Sequence, residues 1–547
     1  MNKKKILFVT ESTELASGFG TYAKEILKRL HSSGKYEIAE FSSYRQPESV
    51  KDSDWLIYGN APMNNEKEYA EQHKNPIVQW GIQKFELACL DFKPDIVVTY
   101  RDPWMDSYIV DSPYLPFFHW VWMPTIDSEP QKNEWLYWFN KCDGLMAYSE
   151  YGIRTLENQT NGRVKVHGCA SPAIDPTVFN IVPNKEAHKL SMGLPKDSIV
   201  FGTVMRNQKR KMFPELMKAF KLFLDTTDEE TRRRSFLYLH TSYPEKMGWN
   251  ITSLAHEYGI GSKLICTYVC RSCKEFFSSK YRDALTTCDK CGSFAASLPS
   301  VQNGIEHSQL PKIYNAMDLY IQYAICEGFG MPQVEAAACG TPIASINYSA
   351  MEDVVSYTNG YPIEPILQRE METNADRSFA NNKELVKAMH MFAKQTKDQK
   401  KQQRLLTRKG CIERYTWDIS ANAWEEYFDQ ADLSNNIDWN SPPLIKPIPK
   451  EPPKNLSNLQ FCEWVYAMLI QDSYNIFNHK MLSHLRNLNF GATIDGGNLA
   501  PCTQQTVFEE CKNISEKRFS LDQLRCSNGP VTLQYEFIKQ AHKGLAR

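Results

Sequence analysis

CEGFGMPQVEAAACGTP, residues 326–342, is the stretch that decides how this chain is interpreted. Two carboxylates, Glu327 and Glu335, flank a Gly-Phe-Gly turn. Pro332 stands where a helix would begin, and Gly340 where it would end. The first amides of such a helix have no partners inside it, and the helix dipole favours negative charge. The stretch therefore predicts a loop that leads into a phosphate-binding helix.

The two carboxylates indicate what surrounds that phosphate. A carboxylate beside a phosphate is repelled, so Glu327 fits only if it holds uncharged hydroxyls. Glu335, two helical turns further on, would reach a second polyol such as a ribose. A phosphate between two polyols describes a nucleotide sugar, whereas the alternative is an ordinary loop-to-helix turn. The residues expected to contact the donor here are Gly328, Phe329, Gly330, Met331 and Glu335.

Length and composition indicate a globular protein of two or three domains. The chain has 547 residues, 42% of them hydrophobic, and a net charge of −1, so no global field draws it to nucleic acid or anionic lipid. The apolar run after the first lysines is too short for a signal peptide or a membrane span. Fifteen cysteines, an odd number, fit a reducing compartment. We expect a cytoplasmic protein.

A second glycine turn lies near the N-terminus. Residues 5–10 are typical of a buried parallel strand, and apolar residues at helical spacing follow from Tyr22. Glycines between them would let the backbone approach a diphosphate or an acceptor, although a plain strand-to-helix turn fits as well. The turn contains Ser17, Gly18, Phe19, Gly20 and Thr21.

Two further strands are predicted at residues 94–98 and 116–120. Ligands of open α/β sheets bind beyond the carboxyl ends of the strands, which is where we expect Arg101, Asp102 and His119. A lone histidine is commonly structural, so both roles remain open for His119.

The stretch 326–342 also carries a resemblance. E-G-F-G-x-x-x-x-E followed by A-x-x-C-G-T-P resembles the E-x7-E signature of retaining glycosyltransferases of family 4. These have the GT-B fold, in which two Rossmann-like domains face a cleft. The resemblance implies that the turn at 18–21 contacts the donor phosphates and that His119 faces the donor sugar. It also implies that Arg206 and Lys211 bind the diphosphate.

The chemistry requires cations at this diphosphate. When the glycosidic bond breaks, negative charge grows on the departing diphosphate, and fixed cations such as Arg206 and Lys211 stabilise that charge. The alternative is a solvated basic loop, which fits Lys209 and Arg210 in particular. Because these cations take the place of a metal, we expect no catalytic divalent ion.

Four cysteines form a feature that the family pattern does not explain. Two C-x2-C pairs stand fourteen residues apart, a spacing suited to four thiolates around a tetrahedral zinc. A zinc with four thiolate ligands has no open position, so we expect a structural zinc ribbon. The ribbon would line the cleft or form a surface excursion. The predicted ligands are Cys270, Cys273, Cys288 and Cys291.

The predicted fold class is α/β: a GT-B fold with a zinc-ribbon insertion in the second domain and a mainly helical C-terminal extension. Residues 347–353 depart from the Gly-Gly-x-x-Glu turn of the family, so the approach of this loop to the ligand is open. The predicted units are an acceptor-side domain (1–178), a nucleotide-sugar domain (179–411), the ribbon (266–303), a returning helix (412–432), a Pro-rich linker (433–456) and an accessory region (457–547).

These predictions lead to a retaining glycosyltransferase with a nucleotide sugar, preferably a UDP-sugar, as donor. The motif set with an inserted ribbon resembles enzymes of tailed bacteriophages, some of which glycosylate hydroxymethylated bases, so modified double-stranded DNA is the leading acceptor. A saccharide or lipid-linked saccharide in surface polysaccharide synthesis is the second hypothesis. A non-catalytic scaffold that binds nucleic acid is the third.

Overall fold

A computed structural model describes residues 3–47, 53–300 and 302–441, apart from the side chain of Glu68. This part of the chain forms two α/β domains, each built on a largely parallel sheet. No helix within it is both long and apolar enough to cross a membrane. The linker from residue 442 onward and the predicted accessory region at 457–547 lie outside the described residues.

The first domain contains a seven-stranded sheet. Its strands are β1 (Lys4–Thr10), β2 (Tyr36–Ser42), β3 (Leu56–Gly59), β4 (Ile96–Thr99), β5 (His119–Trp122), β6 (Gly144–Ala147) and β7 (Val166–Cys169). All pairs are parallel, in the order β3-β2-β1-β4-β5-β6-β7. The helices are α1 (Gly18–Ser33), α2 (Lys67–Gln72), α3 (Pro76–Trp80), α4 (Phe85–Phe92), α5 (Pro103–Asp106), α6 (Asn133–Phe139) and α7 (Glu150–Gln159).

The second domain contains the larger sheet. Its strands are β8 (Ile199–Val204), β9 (Ser235–His240), β10 (Leu264–Cys270), β11 (Phe276–Lys280), β12 (Leu285–Thr286), β13 (Ala296–Ser297), β14 (Leu319–Gln322), β15 (Ile343–Ile346) and β16 (Tyr361–Ile363). The order is β12-β13-β10-β9-β8-β14-β15-β16, and β11 pairs with β10. A separate hairpin is formed by β17 (Ile366–Arg369) and β18 (Asp376–Phe379).

Helices cover both faces of this second sheet. They are α8 (Lys185–Ser191), α9 (Phe213–Thr226), α10 (Glu229–Arg234), α11 (Ile251–Glu257), α12 (Leu310–Ala316), α13 (Met331–Ala338), α14 (Ala350–Tyr357), α15 (Asn382–Ala393) and α16 (Lys397–Ile412). One more helix, α17 (Trp417–Gln430), follows α16. Strands β8, β14 and β15 are buried along their whole length, as expected for parallel strands covered by helices on both sides.

The cysteine-rich insertion extends the edge of the second sheet. Strand β10 pairs with β9 in parallel through its first half, whereas β11 and β13 pair with β10 in antiparallel orientation. The insertion therefore continues the domain's own sheet rather than forming a detached excursion.

The last described helix, α17, packs on the first domain. Trp424 of α17 is fully buried, lies 6.1 Å from Phe8 of β1, and donates a hydrogen bond to Tyr22 at 2.6 Å. The chain then continues along the first domain, where the Trp439 indole donates to the Pro94 carbonyl at 3.1 Å. Residues 433–441, predicted as the start of a linker, thus pack on the first domain.

Two element boundaries differ from the sequence-based prediction. Helix α1 already begins at Gly18, so the glycines expected in a flexible turn form the first turn of the helix, capped by Ser17. The strand predicted at 116–120 instead begins at His119, because Leu115–Phe117 forms a 3-10 turn.

Truncating Trp424 tests the docking of α17. We expect Trp424→Ala to lower the free energy of unfolding by about 3–5 kcal/mol, the usual cost of emptying a buried aromatic site. Urea titration measures it. The control is Ile419→Ala on the same helix, a side chain that is 41% exposed, with an expected change below about 0.5 kcal/mol. Equal effects of the two substitutions would contradict this packing.

Candidate active site

The stretch 326–342 forms the loop and helix that its sequence predicts. Gly330 precedes α13 with a φ of 85°, a left-handed conformation that favours glycine. Gly328 lies against the first domain, because a Cβ at this position would overlap the methyl group of Thr125. Gly330 is therefore favoured by its backbone conformation and Gly328 by its close packing on Thr125, and the loop forms part of the contact between the domains.

Glu327 is buried and surrounded by cations. Its carboxylate forms an ion pair with Lys211 and accepts a hydrogen bond from Arg210 at 2.8 Å. Burial and the Arg210 charge lower the pKa of the Lys211 ammonium. The neighbouring Glu327 carboxylate favours the charged form, as an opposite charge in direct contact does. The carboxylate, an ammonium and a guanidinium thus form one coupled group in the cleft.

Two neutral side chains hold Glu327 in place. The Gln322 amide donates to its carboxylate at 2.9 Å, and the Gln322 carbonyl accepts from Tyr320 at 2.6 Å. The Glu327 amide donates to the Ser349 hydroxyl at 3.3 Å. Ser349 belongs to the loop at residues 347–353, which departs from the Gly-Gly-x-x-Glu pattern, and this loop thus contacts the E-G-F-G loop directly. Gln322 and Ser349 were not predicted as site residues.

Arg206 points away from this group. Its side chain is 56% exposed and forms an ion pair with Glu245, with a hydrogen bond of 2.7 Å. Arg210, which sequence reasoning assigned to a solvated loop, instead bonds Glu327 while 42% of its side chain stays exposed. The structure therefore brings together Lys211, Arg210 and Glu327, and leaves Arg206 at the rim.

Glu335 lies inside the second domain and is already engaged. Its carboxylate contacts the His307 ring at 2.8 Å and the Tyr314 hydroxyl at 2.5 Å. Burial lowers the pKa of His307, but the hydrogen bond and charge of Glu335 outweigh it, so this pKa lies above its usual value. A ribose at Glu335 would have to share the carboxylate with these partners.

On the opposite wall, the Ser17–Thr21 turn lies at the start of α1. The Ser17 hydroxyl accepts from the Gly20 amide at 3.0 Å, which caps the helix. A Cβ on Gly20 would stand 2.5 Å from the carbonyl oxygens of Ser12 and Leu15, whereas a Cβ on Gly18 would meet no atom within 4 Å. Gly20 is thus needed for packing, and Gly18 has open space beside it.

His119 does not lie in the cleft. It is the first residue of β5, at the amino end of that strand, and its ring contacts the Tyr427 hydroxyl of α17 at 2.7 Å. The prediction that it lies at the carboxyl end is wrong, because the strand begins later than its apolar pattern suggests. Burial lowers the pKa of His119. Arg101 does lie beyond the carboxyl end of β4, but it is fully buried, and its guanidinium donates to the Asp106 carboxylate at 2.9 Å.

Other contacts join the domains across the cleft. Arg377 of β18 donates to the Asp127 carboxylate of the first domain at 2.8 Å. The Asp376 amide donates to the Glu129 carbonyl at 2.8 Å, and the Tyr348 hydroxyl accepts from the Glu129 amide at 3.2 Å. The structure is therefore a closed arrangement of the two domains.

The four predicted metal ligands come together. The sulfur atoms of Cys270, Cys273, Cys288 and Cys291 lie within 4.8 Å of one another. The Cys270–Cys291 and Cys273–Cys288 sulfur pairs are 3.7 and 3.8 Å apart. Tetrahedral zinc with bonds of about 2.3 Å requires sulfur pairs about 3.8 Å apart. Backbone amides of Ser272 and Lys290 point at Cys270 and Cys288 at 3.3 Å. The cluster fits tetrahedral zinc.

Comparison with known proteins agrees with this geometry. Residues 300–399, which include the E-G-F-G loop and α13, match the family model of glycosyl transferases group 1. Sucrose-phosphate synthase from Thermosynechococcus elongatus superposes with a TM-score of 0.56 at 14% identity, over 78% of this chain and 99% of that chain. The chain has the GT-B fold.

Two further solved structures are similar. A glycosyltransferase from Rickettsia africae gives a TM-score of 0.54 at 16% identity, over 80% of this chain and 100% of that one. HepE from Anabaena, solved in complex with UDP and glucose, gives a TM-score of 0.53 at 12% identity, over 78% of this chain and 100% of that chain. No curated protein sequence matches. The GT-B fold and the group 1 domain together support a glycosyltransferase.

Adding one methyl group at Gly328 tests the closed arrangement. Gly328→Ala forces the alanine against Thr125, and overpacking of this kind costs about 1–3 kcal/mol, so we expect residues 123–131 to exchange amide hydrogens about tenfold faster. Mass spectrometry of deuterium uptake measures this.

Two further variants check the cause. Thr125→Ser removes the opposing methyl group, so adding it to Gly328→Ala should restore slow exchange. Gly18→Ala, placed in open space, should leave exchange at 123–131 unchanged. Fast exchange that Thr125→Ser does not correct would contradict the contact.

Proposed function

We propose that this protein is a retaining glycosyltransferase, similar to family 4, that uses a nucleotide sugar and preferably a UDP-sugar as donor. The observation that carries the proposal is the coupled group of Glu327, Lys211 and Arg210 beside the E-G-F-G loop in the cleft of a GT-B fold. HepE, which shares the fold, was solved in complex with UDP and glucose.

Each member of the group has a role in this reaction. Lys211 and Arg210 stabilise the negative charge that develops on the departing diphosphate, and Arg206 at the rim joins them if it leaves Glu245. Glu327, held by Gln322, then turns from its cations to the hydroxyls of the donor sugar. The amides of the loop and of α13 hold phosphate.

The retaining step follows from attack on the same face of the sugar. The bond from the anomeric carbon to the diphosphate breaks as the bond to the acceptor oxygen forms, and the diphosphate takes the acceptor's proton. No step requires a divalent metal, since the cations supply its charge. Glu327 acts in this scheme by positioning and electrostatics rather than as a nucleophile.

For the acceptor, we propose hydroxymethylcytosine in double-stranded DNA. This rests on the resemblance to phage enzymes and on basic side chains near the cleft, of which Arg206 and Lys209 are exposed and Arg210 is half-buried. The tryptophans Trp120 and Trp122 give no support, because both are fully buried and stack on each other at 4.9 Å. A saccharide acceptor remains the second candidate.

The first test supplies donors and this acceptor together. We expect the protein to release nucleotide from one UDP- or GDP-sugar when hydroxymethylcytosine-containing duplex is present, and to produce a heavier nucleoside on digestion, detected by mass spectrometry. Release should persist in EDTA. A requirement for Mg²⁺ or Mn²⁺ would contradict the proposal that Lys211 and Arg210 replace a metal. Nucleotide release that does not depend on DNA would favour a carbohydrate acceptor.

Substitution of Glu327 separates an enzyme from a scaffold. We expect Glu327→Gln to reduce nucleotide release by about 10²-fold or more, the loss typical of one preorganised electrostatic group. Glu229→Gln, an exposed glutamate on α10, is the matched control and should have no effect. Unchanged nucleotide release in Glu327→Gln would contradict the role of Glu327, and no release with any donor would favour the non-catalytic scaffold.

A binding measurement separates the two acceptor classes. Binding to duplex DNA that weakens with added salt supports a DNA acceptor, because phosphate contacts release counterions and carbohydrate contacts do not.

We propose a structural zinc in the four-cysteine cluster. With four thiolate ligands the ion stabilises the fold and takes no part in the transfer. Elemental analysis of the purified protein should find about one zinc per chain, and Cys288→Ser should abolish it. Cys169→Ser, outside the cluster, is the control. Full zinc content in Cys288→Ser would contradict the assignment.

A further inference from the structure

Asp102 is a partly buried carboxylate on the wall of the first domain that faces the E-G-F-G loop. It follows the carboxyl end of β4 and precedes α5, but its side chain caps no amide of that helix. Thr125 lies next to it, because the Thr125 amide bonds the Arg101 carbonyl at 3.4 Å, and the methyl group of Thr125 touches Gly328. Thr125 therefore lies beside Asp102 and touches the E-G-F-G loop.

Two neighbouring carboxylates of this wall are paired with arginines. Asp106 pairs with Arg101, and Asp127 pairs with Arg377. Asp102 differs, since no ion pair joins it to a cation anywhere in residues 3–47, 53–300 and 302–441. A carboxylate at the carboxyl edge of a parallel sheet without a charged partner is placed for a ligand.

The charged groups that bear on Asp102 come from both domains. The pKa of Asp102 is raised to about 6. Burial is the main cause and Asp127 and Asp106 act in the same direction, whereas the Thr125 hydroxyl and the Arg210 guanidinium lower the pKa. Arg210 also bonds Glu327 at 2.8 Å. Asp102 and Glu327 thus lie on opposite walls, with one guanidinium acting on both.

We propose that Asp102 accepts a hydrogen bond from the acceptor, from a donor group next to the reacting hydroxyl. This rests on the proposed glycosyl transfer and adds a residue to it. The anomeric carbon loses its bond to the diphosphate oxygen and gains one to the acceptor oxygen, while the hydroxyl proton passes to the diphosphate. An ionised carboxylate only accepts hydrogen bonds, so through this neighbouring donor it holds the acceptor with the reacting oxygen toward the sugar. The proton of the reacting hydroxyl itself stays free to pass to the diphosphate.

The proposal predicts a dependence on pH. The ionised form of Asp102 is the one that accepts the hydrogen bond, and it is populated above a pKa of about 6. Transfer should therefore fall as the pH drops through about 6, and the Asp102→Asn variant should lack this fall. If Asp102 had only a structural role, replacing it with the isosteric asparagine would not abolish the fall in the transfer rate at low pH.

The experiment compares Asp102→Asn with Asp91→Asn, an exposed aspartate of the same domain. Donors are UDP-glucose and the other UDP- and GDP-sugars, and the acceptors are hydroxymethylcytosine duplex and, independently, ethylene glycol at molar concentration. We expect Asp102→Asn to lower kcat/KM for transfer about 10- to 100-fold, as for one hydrogen bond to a charged group. Nucleotide binding, measured by calorimetry, should change less than twofold, and the melting temperature should stay that of Asp91→Asn.

The outcomes are distinct. If Asp102→Asn transfers sugar to both acceptors at the wild-type rate, the role of Asp102 is overturned. The same holds if its transfer rate still falls below a pH of about 6 as in the wild type. Either result leaves the proposed glycosyltransferase activity intact. Weakened nucleotide binding with unchanged turnover also overturns it, because it would place Asp102 at the donor. Wild-type protein that neither binds nor releases nucleotide overturns glycosyl transfer itself, and the proposal with it.

Discussion

The buried charge of Glu327 is the constraint on which the cleft depends. A carboxylate removed from water is strongly disfavoured unless cations and hydrogen bonds compensate it. Here the compensation comes from a different loop, the one that follows β8. Strands β8 and β14 are neighbours, and their loops are joined by backbone hydrogen bonds from Ile325 to Arg210 at 3.0 Å and from Met212 to Tyr323 at 3.2 Å. Sheet topology thus places Lys211 beside Glu327.

Features encoded locally could be predicted from the sequence. The E-G-F-G loop, its helix and the cysteine cluster depend on glycine, proline and cysteine spacing, and the structure contains all three. The two-domain α/β architecture follows from strands that alternate with helices.

Features that depend on side-chain direction or on exact strand ends could not be predicted. The five-residue spacing of Arg206 and Lys211 does not show that Glu245, from a distant loop, holds Arg206 at the rim. His119 lies at the amino end of β5 rather than at the predicted carboxyl end, because the strand starts three residues later than its apolar run. Gln322 belongs to an apolar strand pattern, where nothing marks it as the partner of Glu327.

The chain crosses between the domains twice, and the two crossings lie side by side. Ile174 and Thr416 form a β-bridge, with the Ile174 amide bonded to the Tyr415 carbonyl at 3.1 Å. Two adjacent covalent connections restrict relative motion to a rotation about a pivot at this bridge. Phe329 of the E-G-F-G loop packs on Tyr415 at 5.5 Å, next to that pivot. Opening would therefore displace the opposite wall while the loop stays almost stationary, so the cleft can exchange its contents without dismantling the half that holds Glu327.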